Sequence, residues 1–157
     1  MKKYVLGFMF SEDYSRVALI RKLKPADQAG RLNGIGGKIE PGEIPIASMV
    51  REFLEETGYN QLRWRHFCIF QGPGWVVYAF TCTGPVDELN SVTPEDIVVC
   101  NSSVWTREMI QNLSWLIPLA LDGEVESATV TQVTPHDQIP KDRTTVERYL
   151  DPEKSAA

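Results

Sequence analysis

The sequence predicts one α/β domain built on a mixed β-sheet. Short runs of β-branched and aromatic residues lie before, between and after two stretches of helical character. A length of 157 residues with 43% apolar content is enough for a single domain with its own core. We expect this domain to span residues 1–134 and residues 135–157 to form a polar tail that packs loosely on it.

The first half of the chain should contain two strands and one helix. Residues 4–10 and 17–21 favour β-structure and are separated by a polar segment, so adjacent strands joined by a turn are expected. A basic, flexible loop and a glycine-rich run follow. Pro45 suits the first turn of a helix because its missing N–H needs no helical partner there, and Gly58 is a typical helix end.

The second half should contain the remaining strands and a second helix. Strands are expected at residues 62–70, 76–82, 97–105 and 125–133, and the second helix at residues 107–121. Pro118 lies inside this helix and is expected to kink or break it.

The charge of the chain limits its partners. The 16 basic and 21 acidic residues give a net charge of −5, and no basic run follows the pattern of nucleic-acid binding. No segment is long enough to span a bilayer, so neither nucleic acid nor membrane is an expected partner. Three widely spaced cysteines, odd in number, argue against a disulfide framework and favour a reduced cytoplasm. A small anionic ligand would need a cation between itself and the protein's carboxylates.

Three glutamates share the polar face of the first expected helix. Glu52 lies three and four residues before Glu55 and Glu56, so their carboxylates can converge. Like charges at this spacing cost about 0.2–0.5 kcal/mol for each pair, and only Arg51 offers local compensation. A solvated polar face is the ordinary explanation of such a run. The alternative is a divalent cation, because Mg²⁺ and Mn²⁺ prefer hard oxygen ligands.

A longer pattern surrounds this helix. It runs Gly37, five residues, Glu43, seven residues, Arg51-Glu52, apolar Phe53, one residue, Glu55-Glu56, one residue, Gly58 and apolar Tyr59. The pattern resembles the signature box of the Nudix hydrolases, G-x5-E-x7-R-E-U-x-E-E-x-G-U with U apolar, at every defined position. The resemblance covers 23 of the 157 residues directly. It implies that family's α/β/α sandwich with a mixed sheet.

The resemblance also implies an activity and a metal site. Members of the family hydrolyse a nucleoside diphosphate linked to another group, with Mg²⁺ or Mn²⁺ and water. By similarity, the metal ligands would be the carboxylates of Glu52, Glu55 and Glu56 and the carbonyl of Gly37. Glu52 is also our preferred general base, while an acid from a later loop is the other possibility.

Supporting roles follow from the same resemblance. Glu43 would pair with Arg51 and fix the preceding loop against the helix. Glu95 and Asp96 precede the strand expected at residues 97–105, where relatives often supply a further metal ligand, and a plain surface turn is an equal alternative.

The loop before the box bears on the substrate. Residues 30–38, GRLNGIGGK, resemble the branch that cleaves nucleoside triphosphates, including oxidised purine forms, to monophosphate and pyrophosphate. In that branch the Asn of the N-G-x-G-G-K run hydrogen-bonds the base, and Asn33 matches it; a turn-forming Asn before Gly is the alternative. Lys22 and Lys38 could contact phosphate oxygens or could simply be solvated. Asn112 lies where mammalian-type oxidised-purine hydrolases carry paired aspartates, which places specificity for oxidised guanine in doubt.

Two other functions stay open. Pro73 lies near where ADP-ribose-cleaving relatives carry a diagnostic proline, so an ADP-ribose or nucleotide-sugar pyrophosphatase ranks second, although Gly-Pro-Gly is also an ordinary hairpin turn. A non-catalytic nucleotide-sensing domain ranks third, because all the acids of the box are retained. The sequence also leaves a homodimer open.

Overall fold

The computed structural model describes residues 1–132, which form a mixed β-sheet with a helix on each face. The strands are β1 (Lys2–Phe10), β2 (Arg16–Arg21), β3 (Leu32–Asn33), β4 (Ile35–Lys38), β5 (Arg65–Gly72), β6 (Trp75–Thr83), β7 (Ile97–Asn101) and β8 (Ala128–Thr131). The helices are α1 (Pro45–Thr57) and α2 (Leu113–Leu121). The expected α/β/α sandwich is therefore confirmed.

Strand β1 organises the sheet. On one side it runs parallel to β6 along its whole length. On the other side it has two antiparallel partners in succession: residues 4–7 pair with β4, and Met9 and Phe10 pair with β2. On this side of β1, strands β2 and β4 therefore separate from each other, and the segment that connects them lies next to the point of separation. The order continues from β6 through β5 to β8, while β7 pairs with the outer side of β2.

The alternation of side chains along the strands creates a core on each face. Phe8 and Phe10 of β1 belong to the core under α2, whereas Met9 belongs to the core under α1 with Met49 and Phe53. Helix α1 lies very close to β1: a Cβ atom added to Gly7 would come within 2.6 Å of the Met49 side chain. This close approach fixes the polar face of α1 relative to β4.

The first helix has the expected bounds, but the second begins later than expected. Residues 108–110 pair with the backbone of Leu32 instead of entering a helix, since Leu32 N–H donates to Glu108 and Ile110 N–H donates to Leu32. Pro118 lies inside α2 without ending it, so the alternative of a broken helix was wrong. The strand expected at residues 97–105 ends at Asn101.

The last part of the chain can be compared with expectation only in part. Strand β8 lies within the expected residues 125–133, but residue 133 and the tail at residues 135–157 lie outside the described residues. Across residues 1–132, neither helix has the length and apolar character needed to cross a membrane.

Candidate functional site

Arg51 is the centre of a hydrogen-bonded cluster on the polar face of α1. Its guanidinium donates to both Glu43 oxygens, with Nε 2.6 Å from Oε1 and Nη2 2.9 Å from Oε2. It also donates to Glu52 Oε1 at 2.8 Å and to the Lys38 carbonyl at 3.1 Å. The planar guanidinium thus ties the loop before α1 and strand β4 to the helix.

Glu43 is held in this cluster as a carboxylate. Its oxygens accept hydrogen bonds from Arg51, from the Ser48 hydroxyl and from the Glu40 N–H. The Arg51 hydrogen bond, followed by those from Ser48 and Glu40, lowers the pKa of Glu43 to about 2. The same pair raises the pKa of Arg51, so both groups are charged at neutral pH.

Glu52 lies against the backbone of Gly37. Its side chain is only 12% exposed, and a Cβ atom at Gly37 would lie 2.3 Å from the Glu52 carboxyl carbon. Burial raises the pKa of Glu52; Arg51 opposes this, while the charges of Glu55 and Glu56 add to it. Glycine at position 37 therefore makes room for a carboxylate that other negative charges surround.

The three glutamates on α1 bond two different donors. Glu52 bonds to Arg51, and Glu55, whose side chain is 57% exposed, lies 3.4 Å from the same guanidinium. Glu56 Oε2 accepts a hydrogen bond of 2.9 Å from the Thr93 hydroxyl. Across the part of the chain that the structure describes, no three His, Cys, Asp or Glu side chains are gathered as a metal site requires. The three carboxylates therefore do not form a ready ligand set, because Glu52 and Glu55 bond Arg51 whereas Glu56 bonds Thr93.

The chemistry of this face nevertheless fits a divalent cation. The side chains offer hard oxygen ligands, and the negative charges of Glu55 and Glu56 already destabilise the ionised form of Glu52. Because Gly37 has no Cβ, its backbone can lie close to the Glu52 carboxylate. A cation would relieve the repulsion that the helix otherwise carries.

The loop before β7 connects these glutamates to the loop that follows β2. Glu95 accepts hydrogen bonds from Lys22 Nζ at 3.0 Å and from Leu23 N–H at 2.6 Å. Burial raises the pKa of Glu95, but the bonds from Leu23 and Lys22 outweigh it, so the net shift is downward. Thr93 accepts a hydrogen bond from Glu95 N–H while donating to Glu56.

This arrangement brings together two residues that the sequence assigned to different roles. Glu95, a candidate metal ligand, and Lys22, a candidate phosphate ligand, are paired with each other. The carbonyl of Asp96, the other candidate acid, accepts a hydrogen bond from Arg21 N–H. The ligand roles of Glu95 and Asp96 stay predictions, and for Glu95 the role requires release of Lys22.

A cavity of about 550 Å³ opens beside β4, within the size range of small-molecule sites. All four expected substrate-binding residues line it: Lys22, Asn33, Lys38 and Asn112. Phe70 and Trp75 contribute aromatic rings that meet edge to face, with centroids 4.8 Å apart. Gly37 also lines this cavity, so a single residue contacts both the Glu52 carboxylate and the cavity.

Gln28 and Thr93 are among the site residues that sequence reasoning missed. Gln28 lines the cavity and contacts Asn33, but it lies in a loop whose residues carry no spacing pattern. Thr93 bonds Glu56 across 37 residues of sequence, and a lone Thr before Pro94 gives no sign of such a contact. Among the tryptophans, Trp75 lines the cavity, Trp115 packs on Phe70 and Trp105 does not line the cavity.

A second cavity of about 570 Å³ lies elsewhere, lined by Tyr14, residues 61–65, residues 81–83 and Ala120. Among residues 1–132, no acidic side chain and no residue of the glutamate-rich helix lines it, so these residues offer no ligand set for a metal there. We therefore place the candidate site at the cavity beside β4.

The protein is thus an α/β/α sandwich in which a glutamate-rich helix lies next to a cavity. Residues 2–149 match the family model of the NUDIX domain. The chain belongs to the Nudix family, whose enzymes are hydrolases that act on nucleotides and generally use divalent metal ions.

Individual members of the family match only part of the chain. The chain is 36% identical over 73 residues to the 8-oxo-dGTP diphosphatase of Escherichia coli, covering 45% of this chain and 54% of that protein. It is 32% identical over 82 residues to the RNA pyrophosphohydrolase of Helicobacter pylori, covering 50% of each. The chain thus spans about half the length of the curated relatives it matches.

Solved structures show the same fold. The MutT protein of Bacillus halodurans has a TM-score of 0.64 at 22% identity, covering 87% of this chain and 92% of that one. The MutT NUDIX hydrolase of Burkholderia pseudomallei has a TM-score of 0.65 at 16% identity, covering 75% and 96%.

Proposed function

We propose that this protein hydrolyses a nucleoside triphosphate to the nucleoside monophosphate and pyrophosphate, using Mg²⁺ or Mn²⁺. The observation that carries the proposal is the position of Gly37, which lies against the Glu52 carboxylate and also lines the cavity beside β4. A nucleotide with its base in this cavity would have its phosphates next to the acidic face of α1. The E. coli relative, named as an 8-oxo-dGTP diphosphatase, supports the same substrate class.

The acidic face of α1 would hold the metal ion. Glu52, Glu55 and Glu56 would be its side-chain ligands, with the Gly37 carbonyl completing part of the set. A bound divalent cation neutralises charge on the phosphates and lowers the pKa of water. Arg51, through its bonds to Glu43 and Glu52, would hold the Glu52 carboxylate in place.

Proton transfer is assigned to Glu52. Its Oε1 accepts the hydrogen bond from Arg51, which leaves Oε2 to take the proton of the attacking water. Burial raises the pKa of this carboxylate, which makes it a better proton acceptor than an exposed glutamate. An acid from the loop before β7 is the alternative base, and Glu95 would have to exchange Lys22 for the water to serve.

The lysines and amides of the cavity would position the nucleotide. Lys22 and Lys38 are the cations that line it, so they would contact phosphate oxygens. Asn33 and Asn112 would contact the base, since a carboxamide can both donate and accept. The free thiols of Cys68, Cys82 and Cys100 fit a cytoplasmic location.

A substrate screen tests the proposal. The full chain would be incubated with Mg²⁺ and, separately, canonical nucleoside triphosphates, oxidised purine triphosphates, ADP-ribose, nucleotide sugars and RNA with a 5′-triphosphate. We expect release of pyrophosphate from a free triphosphate to be the fastest reaction. Faster cleavage of ADP-ribose or a nucleotide sugar would favour the second function, and would agree with the diagnostic proline that Pro73 resembles in the turn between β5 and β6. Binding without any cleavage would favour a sensor domain.

A further inference from the structure

The carboxamide of Asn33 has a fixed orientation. One of its terminal atoms lies 2.8 Å from the backbone N–H of Gly34. A backbone N–H can only donate, so this atom must be the oxygen, Oδ1. The amide nitrogen Nδ2 is therefore on the opposite side, where it approaches Gln28 Oε1 at 3.4 Å.

The orientation of Gln28 follows from that of Asn33. Because Oε1 of Gln28 faces the Asn33 amide nitrogen, its own Nε2 lies on the far side of the carboxamide. The backbone of Gln28 is held on both sides: its N–H donates to Pro25 at 2.9 Å, and its carbonyl accepts from Arg31 at 3.0 Å. Gln28 and Asn33 are partly buried and both line the cavity. Each therefore contributes a carboxamide, with its N–H donors, to the lining of the cavity.

Nucleobases differ in what they present to such donors. At position 6 of a purine or position 4 of a pyrimidine, guanine and thymine carry an oxygen that accepts hydrogen bonds, whereas adenine and cytosine carry an amino group that donates. An amino group facing two amide N–H groups leaves donors unpaired, which a partly buried site penalises. Among the described residues that line the cavity, Asp27 is the one carboxylate, and it is exposed to solvent.

We propose that Gln28 is a specificity-determining residue that acts with Asn33 to select nucleotides whose base presents an oxo group. The proposal rests on the nucleotide substrate proposed above and adds which chemical class of base the cavity accepts. Asn33 supplies one fixed donor, and Gln28 adds a second through Nε2 while its Oε1 keeps the Asn33 amide in place.

The test compares dITP with dATP, which differ at position 6 of the purine, where one carries an oxo group and the other an amino group. We expect kcat/KM to be at least about tenfold higher for dITP in the native protein. Gln28→Glu keeps an acceptor for the Asn33 amide but replaces the Nε2 donor by a second acceptor. The ratio of the two kcat/KM values should then fall at least about tenfold.

Two further variants serve as controls. Gln28→Leu removes the donor without adding a charge, so the ratio should fall less than in Gln28→Glu. Gln111→Glu makes the same chemical change at an exposed residue that does not line the cavity, and the ratio should stay at its native value. Because the added charge affects both triphosphates alike, the ratio isolates recognition of the base.

Binding of the products separates this proposal from the proposed function. Calorimetry with dIMP and dAMP needs no turnover, and we expect preference for dIMP that Gln28→Glu abolishes. If neither triphosphate is cleaved but this preference is observed, the proposed function fails and the role of Gln28 stands. Equal kcat/KM values for dITP and dATP, a ratio unaltered in folded Gln28→Glu, or equal or absent binding of both monophosphates would overturn the role of Gln28.

Discussion

The acidic half of the site and its amide half are constructed in different ways. The acidic half comes from one stretch of chain, residues 37–58, and Arg51 connects most of its charges. The amide half is assembled from distant segments, with Gln28 and Asn33 on one side and Asn112 at the start of α2 on another. Charged groups that neutralise the charge developing in the transition state control the rate of the reaction. Neutral amides that match the edge of a base control the choice of substrate.

This difference implies different consequences of mutation in the two halves. A change in the acidic half should lower turnover for every substrate alike. A change in the amide half should alter the ratio between substrates, as proposed for Gln28.

Glu56→Gln should give the largest effect. It keeps the size of the side chain and an oxygen for the Thr93 hydroxyl, but removes the negative charge that would bind a cation. We expect kcat to fall by about 10³-fold or more for all nucleotides. Circular dichroism should show that the fold is unchanged. Glu124→Gln, at an exposed residue outside the site, is the matched control and should keep native kcat. A near-native kcat for Glu56→Gln would remove Glu56 from the proposed ligand set.

Gly37→Ala should give the next largest effect. The new Cβ would lie 2.3 Å from the Glu52 carboxyl carbon, so the carboxylate must move. A displacement of this size in a reacting group lowers kcat by about 10²-fold. The melting temperature should change little, because the displaced group is the end of a flexible side chain. Gly123→Ala, where a Cβ meets nothing within 4 Å, should be silent in both measurements.

Thr93→Val should give a smaller and more specific effect. The substitution keeps the shape of the side chain but removes the hydroxyl that bonds Glu56 and accepts from Glu95 N–H. Loss of one hydrogen bond to a charged group corresponds to about a tenfold fall in kcat. KM for the nucleotide should stay unchanged. Thr93→Ser should restore kcat, and failure to do so would show that the methyl group rather than the hydroxyl matters.

Glu43→Gln should give the smallest effect, which should appear in the pH dependence of the free energy of unfolding. Hydrogen bonds, that from Arg51 first, lower the pKa of Glu43 from 4.5 to about 2 in the folded state. A lowered carboxyl pKa gives stability that is present above pH 4.5 and is lost as the pH falls towards 2. The free energy of unfolding in urea should therefore differ less between the native protein and Glu43→Gln at about pH 2.5 than at about pH 5. These two pH values lie near the folded and unfolded pKa values of Glu43. A difference that stays constant over this range would contradict the assignment.

The sequence predicted α1 well because its limits are local. Pro45 begins the helix and Gly58, in the left-handed conformation, follows its end, as expected from the two residue types alone. The start of α2 could not be predicted in this way. The backbone at residues 108–110 pairs with Leu32, more than 70 residues earlier, and this tertiary pairing overrides the local helical preference.

The same distinction applies to the site. The spacing of Glu52, Glu55 and Glu56 predicted a shared helix face, and the structure places them on one side of α1. The spacing did not predict that Glu52 and Glu55 would share Arg51 while Glu56 bonds Thr93. The pairing of Lys22 with Glu95 joins residues 73 positions apart, so no periodicity in the sequence could reveal it. The position of Gln28 depends likewise on the fold of a loop.

A crystal structure with Mg²⁺ and a non-cleavable purine triphosphate analogue would show whether the acidic face of α1 and the amides of the cavity bind one nucleotide together. We expect the base to contact the amides of Gln28 and Asn33, and the phosphates to lie beside α1 with an ion bound by Glu52, Glu55 and Glu56. Glu55 would then have left Arg51, and Glu56 would have turned from Thr93. Phosphates bound away from α1, or carboxylates that keep their present partners with no ion among them, would contradict the account.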